Sequence, residues 1–144
     1  MRPIGRTAFT LFMFTAFALL IALLVVLPQR LAFRGAEQYT FFTGNTSSDC
    51  RIVTTDCKDA PLIRLTLDNV CGESATYRNL DIDKFLQSVN GEVLFTETLS
   101  DSTNYYCRAD LPYSVALYGQ TVNLHICVKE SSVTVASPII FGGY

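Results

Sequence analysis

From Thr7 to Leu27 the chain reads TAFTLFMFTAFALLIALLVVL, 21 residues without a charge. As a helix this run would be roughly 30 Å long, the thickness of a bilayer's hydrocarbon core. Pro28 would stop it, and Arg30 and Arg34 suit a headgroup region. The run is longer than the core of a usual cleaved signal. No small-x-small site follows, because Arg30-Leu31-Ala32 and Arg34-Gly35-Ala36 put arginine where a small residue is required. The expectation is therefore an N-terminal membrane anchor or uncleaved signal over residues 1–34, with its apolar helix at 7–27. The alternative is a cleaved leader. Either way the remainder, residues 35–144, faces the exterior or a secretory lumen: single-pass on a membrane if the leader stays, secreted if it is cut.

Charge divides at the same place. Residues 1–34 hold four arginines and no acid, while residues 35–144 hold all 13 acidic groups against seven basic ones. An acidic domain without a basic stripe argues against nucleic acid as partner. All five cysteines lie in this second part, a density ordinary for an oxidising compartment and unusual for a reducing cytosol. Asn45-Thr46-Ser47 is a glycosylation sequon in a loop-like stretch, with Asn45 the acceptor.

From Gln38 onward no helical period is sustained. Short runs rich in β-branched and aromatic residues predict strands at Tyr39–Phe42, Arg51–Thr55, Leu62–Leu67, Val93–Thr98, Tyr105–Arg108, Gln120–Val128 and Ser132–Ala136. Turn formers separate them at Gly44-Asn45, Lys58-Asp59-Ala60-Pro61, Gly72-Glu73, Asn90-Gly91 and Gly119. Asp83–Val89 is the one stretch suited to a turn or two of helix. The predicted class is all-β, a small core stabilised by disulfides.

The cysteines sit in an internal repeat. Asp49-Cys50-Arg51 leads through an alternating strand to Cys71 and Glu73-Ser74; Tyr106-Cys107-Arg108 leads through another to Cys127 and Glu130-Ser131. Hairpins pinned by Cys50–Cys71 and Cys107–Cys127 would give this pattern and leave Cys57 unpaired. A Cys57–Cys71 bridge with Cys50 left over is the competing arrangement. The odd cysteine could join two chains in a disulfide-linked homodimer.

Between the hairpins, Leu80-Asp81-Ile82-Asp83, Phe85-Leu86, Val89-Asn90-Gly91 and a strand reaching Phe95 resemble the central signature of the cyanovirin-N homology family. In residue terms, Asp83 can cap the helical turn and Asn90-Gly91 can supply positive φ. The resemblance implies a two-repeat, disulfide-bonded β module of short strands and hairpins. Repeat one would span about 40–95 and a shortened repeat two about 96–144. Three departures stand out: no second signature follows Cys127, Cys57 is extra, and an apolar leader precedes the module. The short tail leaves the first half incompletely closed unless Pro138-Ile139-Ile140-Phe141 substitutes.

The same resemblance implies a lectin-like module for mannose-type glycans or glycoproteins. By position its sugar pocket would use Gln87, Ser88, Val89, Asn90, Tyr106, Lys129 and Glu130. A second pocket, at Asp49 and Gly72-Glu73, lacks its C-terminal contribution. Tyr105, Tyr106, Tyr113 and Tyr118 offer either a stacking face or core filling. Catalysis is not expected. His125, the only histidine, would lie on the solvent side of an alternating strand, and no serine, cysteine or lysine has a nucleophile motif. Asp81 and Asp83 read as structural, and the cysteine spacings suit no zinc site. No cofactor or metal is expected. Two alternatives remain open. One is a structural or protein-interaction domain on the same fold without sugar binding. The other is an immunoglobulin-like adhesion domain, suggested by Asp101–Cys107 with Cys57 as partner but lacking any tryptophan.

Overall fold

A computed structural model describes residues 4–26, 31–44 and 49–141. Among them the chain is mostly β-sheet with three helices. A first helix, α1 (Ile4–Val26), precedes β1 (Gln38–Thr43), β2 (Arg51–Asp56), α2 (Ala60–Thr66), β3 (Val70–Tyr77), α3 (Ile82–Ser88), β4 (Glu92–Thr98), β5 (Thr103–Arg108), β6 (Val115–Leu117), β7 (Gln120–Val122), β8 (Leu124–Val128) and β9 (Val133–Ser137). Seven strands form one antiparallel sheet in the order β2-β1-β3-β9-β8-β5-β4, and β6 with β7 forms a separate hairpin.

Strand alternation sorts the side chains onto two faces. Tyr39 lies opposite Ala75, Ala75 opposite Val135, and Val135 opposite Ile126. With Phe41, Tyr77, Leu124 and Cys107 these residues form one buried face. Phe33, Ala60 of α2, Phe85 and Leu86 of α3 and Val89 just after it cover it, Phe33 and Phe85 lying 6.2 Å apart. The second face carries Thr40, Phe42, Ser74, Thr76, Thr134, Cys127, His125, Tyr106 and Phe95, as the same registers require.

Several sequence expectations need correction. Among the described residues no helix is long and apolar enough to cross a membrane. The described side chains of α1, at 8–23 and at Val25, are all exposed. The anchor over 7–27 and the single-pass localisation built on it are thereby overturned.

The disulfide-bonded module is overturned as well, because all five cysteines are free thiols. The registers explain why. Cys127 lies opposite Asn104, whereas Cys107 lies opposite Leu124. Three residues of offset along a strand is about 10 Å, beyond the Cα separation of about 7 Å that a bridge tolerates. Cys50 adjoins Arg51 of β2 and Cys71 follows Val70 of β3, with Thr43 of β1 between them; two strand spacings are also about 10 Å. Cys57 lies beyond the opposite end of β2 and is exposed, so neither Cys57–Cys71 nor the immunoglobulin-type Cys57–Cys107 bridge forms. In place of two pinned repeats there is one continuous sheet.

Two elements differ in kind from the strand reading. Leu62–Leu67 is not a strand: Pro61 sits in the first turn of helix α2, where its fixed φ favours helix initiation. Gly72-Glu73 is not a turn but the interior of β3. Gly72 is required there by close packing, because a Cβ would meet the Phe141 ring at 3.0 Å and the Ser137 carbonyl at 3.2 Å. Gln120–Val128 is broken at Asn123, whose side-chain amide bonds both the N–H and the carbonyl of Ala109.

The α3 region follows the expected outline with a shifted cap. Asp81, rather than Asp83, caps the helix, its Oδ1 accepting from the Lys84 N–H at 3.1 Å. Asn90 adopts φ +51°, and the Gly91 N–H returns to the Leu86 carbonyl at 2.7 Å, so the pair closes a helix rather than a hairpin. Asn45 of the sequon lies outside the described residues. Gly44, just before it, has φ +128°, and a Cβ there would lie 2.8 Å from the Asp49 carbonyl oxygen. Gly44→Ala is expected to lower the stability to urea by about 2 kcal/mol, from backbone strain plus the clash; an unchanged unfolding midpoint would contradict this reading of the loop.

Candidate binding face

The second face of the sheet carries the most distinctive side-chain arrangement. β4, β5 and β8 place Phe95, Tyr106 and His125 side by side through the pairs Phe95↔Tyr106 and Tyr106↔His125. The three rings stack, with centroids 4.6 Å apart at 18° and 4.5 Å apart at 16°. Tyr118 comes from the β6–β7 turn at φ +50°. Its ring meets Phe95 edge-on, 5.7 Å away at 77°, while 91% of the residue remains exposed. Glu97, two residues beyond Phe95 and so on the same face, accepts the Tyr106 hydroxyl at 3.3 Å. Together Phe95, Glu97, Tyr106, Leu117 and Tyr118 line a cleft of about 180 Å³.

His125 closes the inner end of the stack. It is 1% exposed, which corrects the expectation of a solvated surface histidine. Its strand faces the way alternation requires, but the segment after β9 crosses over it. The Ile140 N–H donates to Nδ1 at 3.3 Å, and Nε2 lies 3.1 Å from Asn104 Oδ1. One ring nitrogen must accept while the other donates, so the neutral tautomer fits. A second proton would point at the Ile140 N–H. Burial pulls its pKa down to about 4.

Farther along the face, a groove of about 290 Å³ is lined by Thr40, Ser74, Thr76, Thr134 and Lys129, with Phe42 and Phe141 among its apolar members. Thr40 and Thr54 hydroxyls lie 3.1 Å apart, and those of Thr76 and Thr134 3.2 Å apart. Phe141 packs edge-on against Phe42 at 5.0 Å. The tail residues Ile140 and Phe141 therefore separate an aromatic end of this face from a hydroxyl-rich end.

The residues singled out for sugar binding are dispersed. Tyr106 lies in the cleft. Lys129 lines the hydroxyl groove and pairs with Asp101 at 3.8 Å. Glu130 is exposed in the turn after β8. Gln87, Ser88, Val89 and Asn90 belong to α3 and its end, on the opposite side of the sheet. There Ser88 Oγ donates to the Phe85 carbonyl at 2.6 Å, and Asn90 Nδ2 donates to Asp110 at 2.6 Å. Of the second pocket, Asp49 borders a separate surface hollow, and Glu73 is buried among core side chains. Phe95 and Glu97 were not among the expected ligand residues, and their alternation on one strand was the signal available for them; Tyr118 was expected only as one of four tyrosines offering either a stacking face or core filling. Among the described residues no three His, Cys, Asp or Glu side chains gather where a metal could bind.

No protein-family model, no curated protein and no solved structure matches this chain. The face has to be read from its own geometry.

Proposed function

We propose that this chain is a non-catalytic carbohydrate-binding module that holds a sugar ring in the cleft beside Tyr118. The observation carrying this reading is an exposed tyrosine ring standing nearly perpendicular to Phe95, with the Glu97 carboxylate and the Tyr106 hydroxyl at its foot. A pyranose presents an apolar C–H face and a rim of hydroxyls. The first suits a tyrosine ring. The second suits a carboxylate, which accepts from two neighbouring hydroxyls. Stacking on Phe95 and His125 fixes the Tyr106 ring in advance, so little side-chain freedom is lost on binding. The only histidine is buried and neutral, which supports a binding role rather than acid–base chemistry. Mannose-type glycans, the class that the resemblance over residues 79–95 implies, are the first to test.

A glycan array on the intact chain, followed by calorimetry on the best ligand, tests the proposal. Tyr118→Ala is expected to weaken binding about tenfold, equivalent to about 1.4 kcal/mol, with little change in thermal stability because the ring is so exposed. Absence of any glycan bound at millimolar protein, or equal affinity of the variant, would overturn it.

A further inference from the structure

On the helix-bearing side of the sheet, away from the sugar cleft, lies a cavity of about 400 Å³ lined by Leu31, Ala32, Arg64, Glu73, Asp110 and Tyr113 among others. Its size falls within the range of about 300–1,000 Å³ common to small-molecule sites. Arg64 comes from α2. Its Nη2 donates to the Tyr113 hydroxyl at 3.1 Å, while its Nε is buried with no hydrogen-bond partner. A buried guanidinium N–H without an acceptor is an exception among native proteins that needs an explanation. Glu73, from the interior of β3, is 1% exposed. One of its oxygens, Oε1, accepts the N–H groups of Ala32 at 3.0 Å and Phe33 at 3.3 Å.

Arg64 and Glu73 border the same space without forming an ion pair; the ion pairs among the described residues involve other side chains. Arg64 still acts on Glu73 through space, opposing the effect of burial on its carboxyl. The cavity thus has a cationic donor on one wall and carboxyl groups on another, with a gap between them. A plain anion would meet Arg64 but also Glu73 and Asp110. A plain cation would meet the carboxyls but also Arg64. A ligand carrying both charges satisfies both walls. The Tyr113 hydroxyl accepts from Arg64, which leaves its own proton available for the ligand's anionic end.

We propose that this cavity binds a small zwitterion of the α-amino-acid class, its carboxylate held by Arg64 and Tyr113 and its ammonium group by Glu73. The proposal is independent of the sugar cleft.

Calorimetric titration of the intact chain with L-alanine, with acetate and with methylammonium tests it. L-Alanine is expected to bind at least tenfold more tightly than either single-charge probe. Glu73→Gln keeps an oxygen for the Ala32 and Phe33 N–H groups while removing the charge, and should weaken L-alanine at least tenfold. Tyr113→Phe deletes only the hydroxyl and should weaken it about threefold or more. Neither variant should change glycan affinity at the Tyr118 cleft. Acetate binding as well as L-alanine would overturn the proposal in favour of a simple anion site. No heat from L-alanine at 50 mM, or an unaltered affinity in Glu73→Gln, would overturn it in favour of a water-filled cavity.

Discussion

Phe41→Ala is expected to lower the stability of the chain by about 3–5 kcal/mol, the usual cost of truncating a fully buried phenylalanine. Phe41 is 0% exposed and sits on β1 between β2 and β3, its ring stacked 6.4 Å from that of Tyr39. The loss combines apolar area returned to water with a void that a sheet cannot close, because β1 is hydrogen-bonded on both edges. Domains of this size have total stabilities of about 5–15 kcal/mol, so the variant should unfold at a much lower urea concentration. Leu62→Ala is the control: Leu62 lies on the solvent side of α2 at 62% exposure and should change stability by no more than about 0.5 kcal/mol. A loss of less than 1 kcal/mol for Phe41→Ala would mean that this face is not the core.

Glu73 and His125 are expected to tilt the pH dependence of stability in opposite directions. Burial raises the Glu73 carboxyl from 4.5 to about 7, against the N–H bonds from Ala32 and Phe33 and the charge of Arg64. As pH rises from 4.5 to 7 the unfolded chain ionises this group first, so stability is lost, by up to about 3 kcal/mol. Burial lowers His125 from 6.5 to about 4. As pH falls from 6.5 to 4 the unfolded chain gains the proton first, so stability is again lost, by up to about 3 kcal/mol. Between pH 4.5 and 6.5 the two contributions oppose each other and largely cancel.

Removing either group exposes the other. Relative to the unsubstituted chain, Glu73→Gln should become progressively more stable from pH 4.5 to 7. His125→Gln, which can still accept from Ile140 and donate to Asn104, should show its relative advantage grow from pH 6.5 down to 4. Chemical denaturation at half-unit pH intervals reads both differences directly. Difference curves that stay level across pH 4–7 would show that neither group changes its proton affinity on folding.

Where local pattern and tertiary environment agreed, the sequence was readable. β1, β2, β4, β5 and β9 are rich in β-branched and aromatic residues, and all lie within a residue or two of the expected runs. α3, expected over Asp83–Val89 and found at Ile82–Ser88, was legible as a helical stretch, although its cap is Asp81 rather than Asp83. β3 was not, because Gly72-Glu73 read as a turn. What makes them a strand is distant in sequence: the N–H groups of Ala32 and Phe33 that bind Glu73, and the Phe141 ring that needs Gly72 to be bare. α2 was hidden by length, since seven residues hold too few periods to separate helix from strand.

The cysteine repeat misled for a related reason. Equal spacing along the chain carries no information about register, and register placed each expected pair two strands or three residues apart. The binding face shows the same limit. Tyr106 could be singled out from its position, but joining it to Phe95, Glu97 and Tyr118 requires the β4–β5 pairing and the path of the β6–β7 turn. His125 was assigned to the correct face of its strand, yet only the course of residues 138–141 reveals that this face is covered there.

The position of β9 governs how such a sheet assembles. It follows every other strand in the chain, yet it pairs with β3 on one side and β8 on the other. β1, β2 and β3 associate through contacts close in sequence, as do β4, β5 and β8. These two partial sheets expose backbone edges at β3 and β8 until β9 arrives, and its bond to β3 joins residues as distant as Glu73 and Ser137. Closing so long a loop is slow. The rate of folding is therefore governed by the last strand rather than the first, and a chain stopped before Val133 would be left as two sticky fragments.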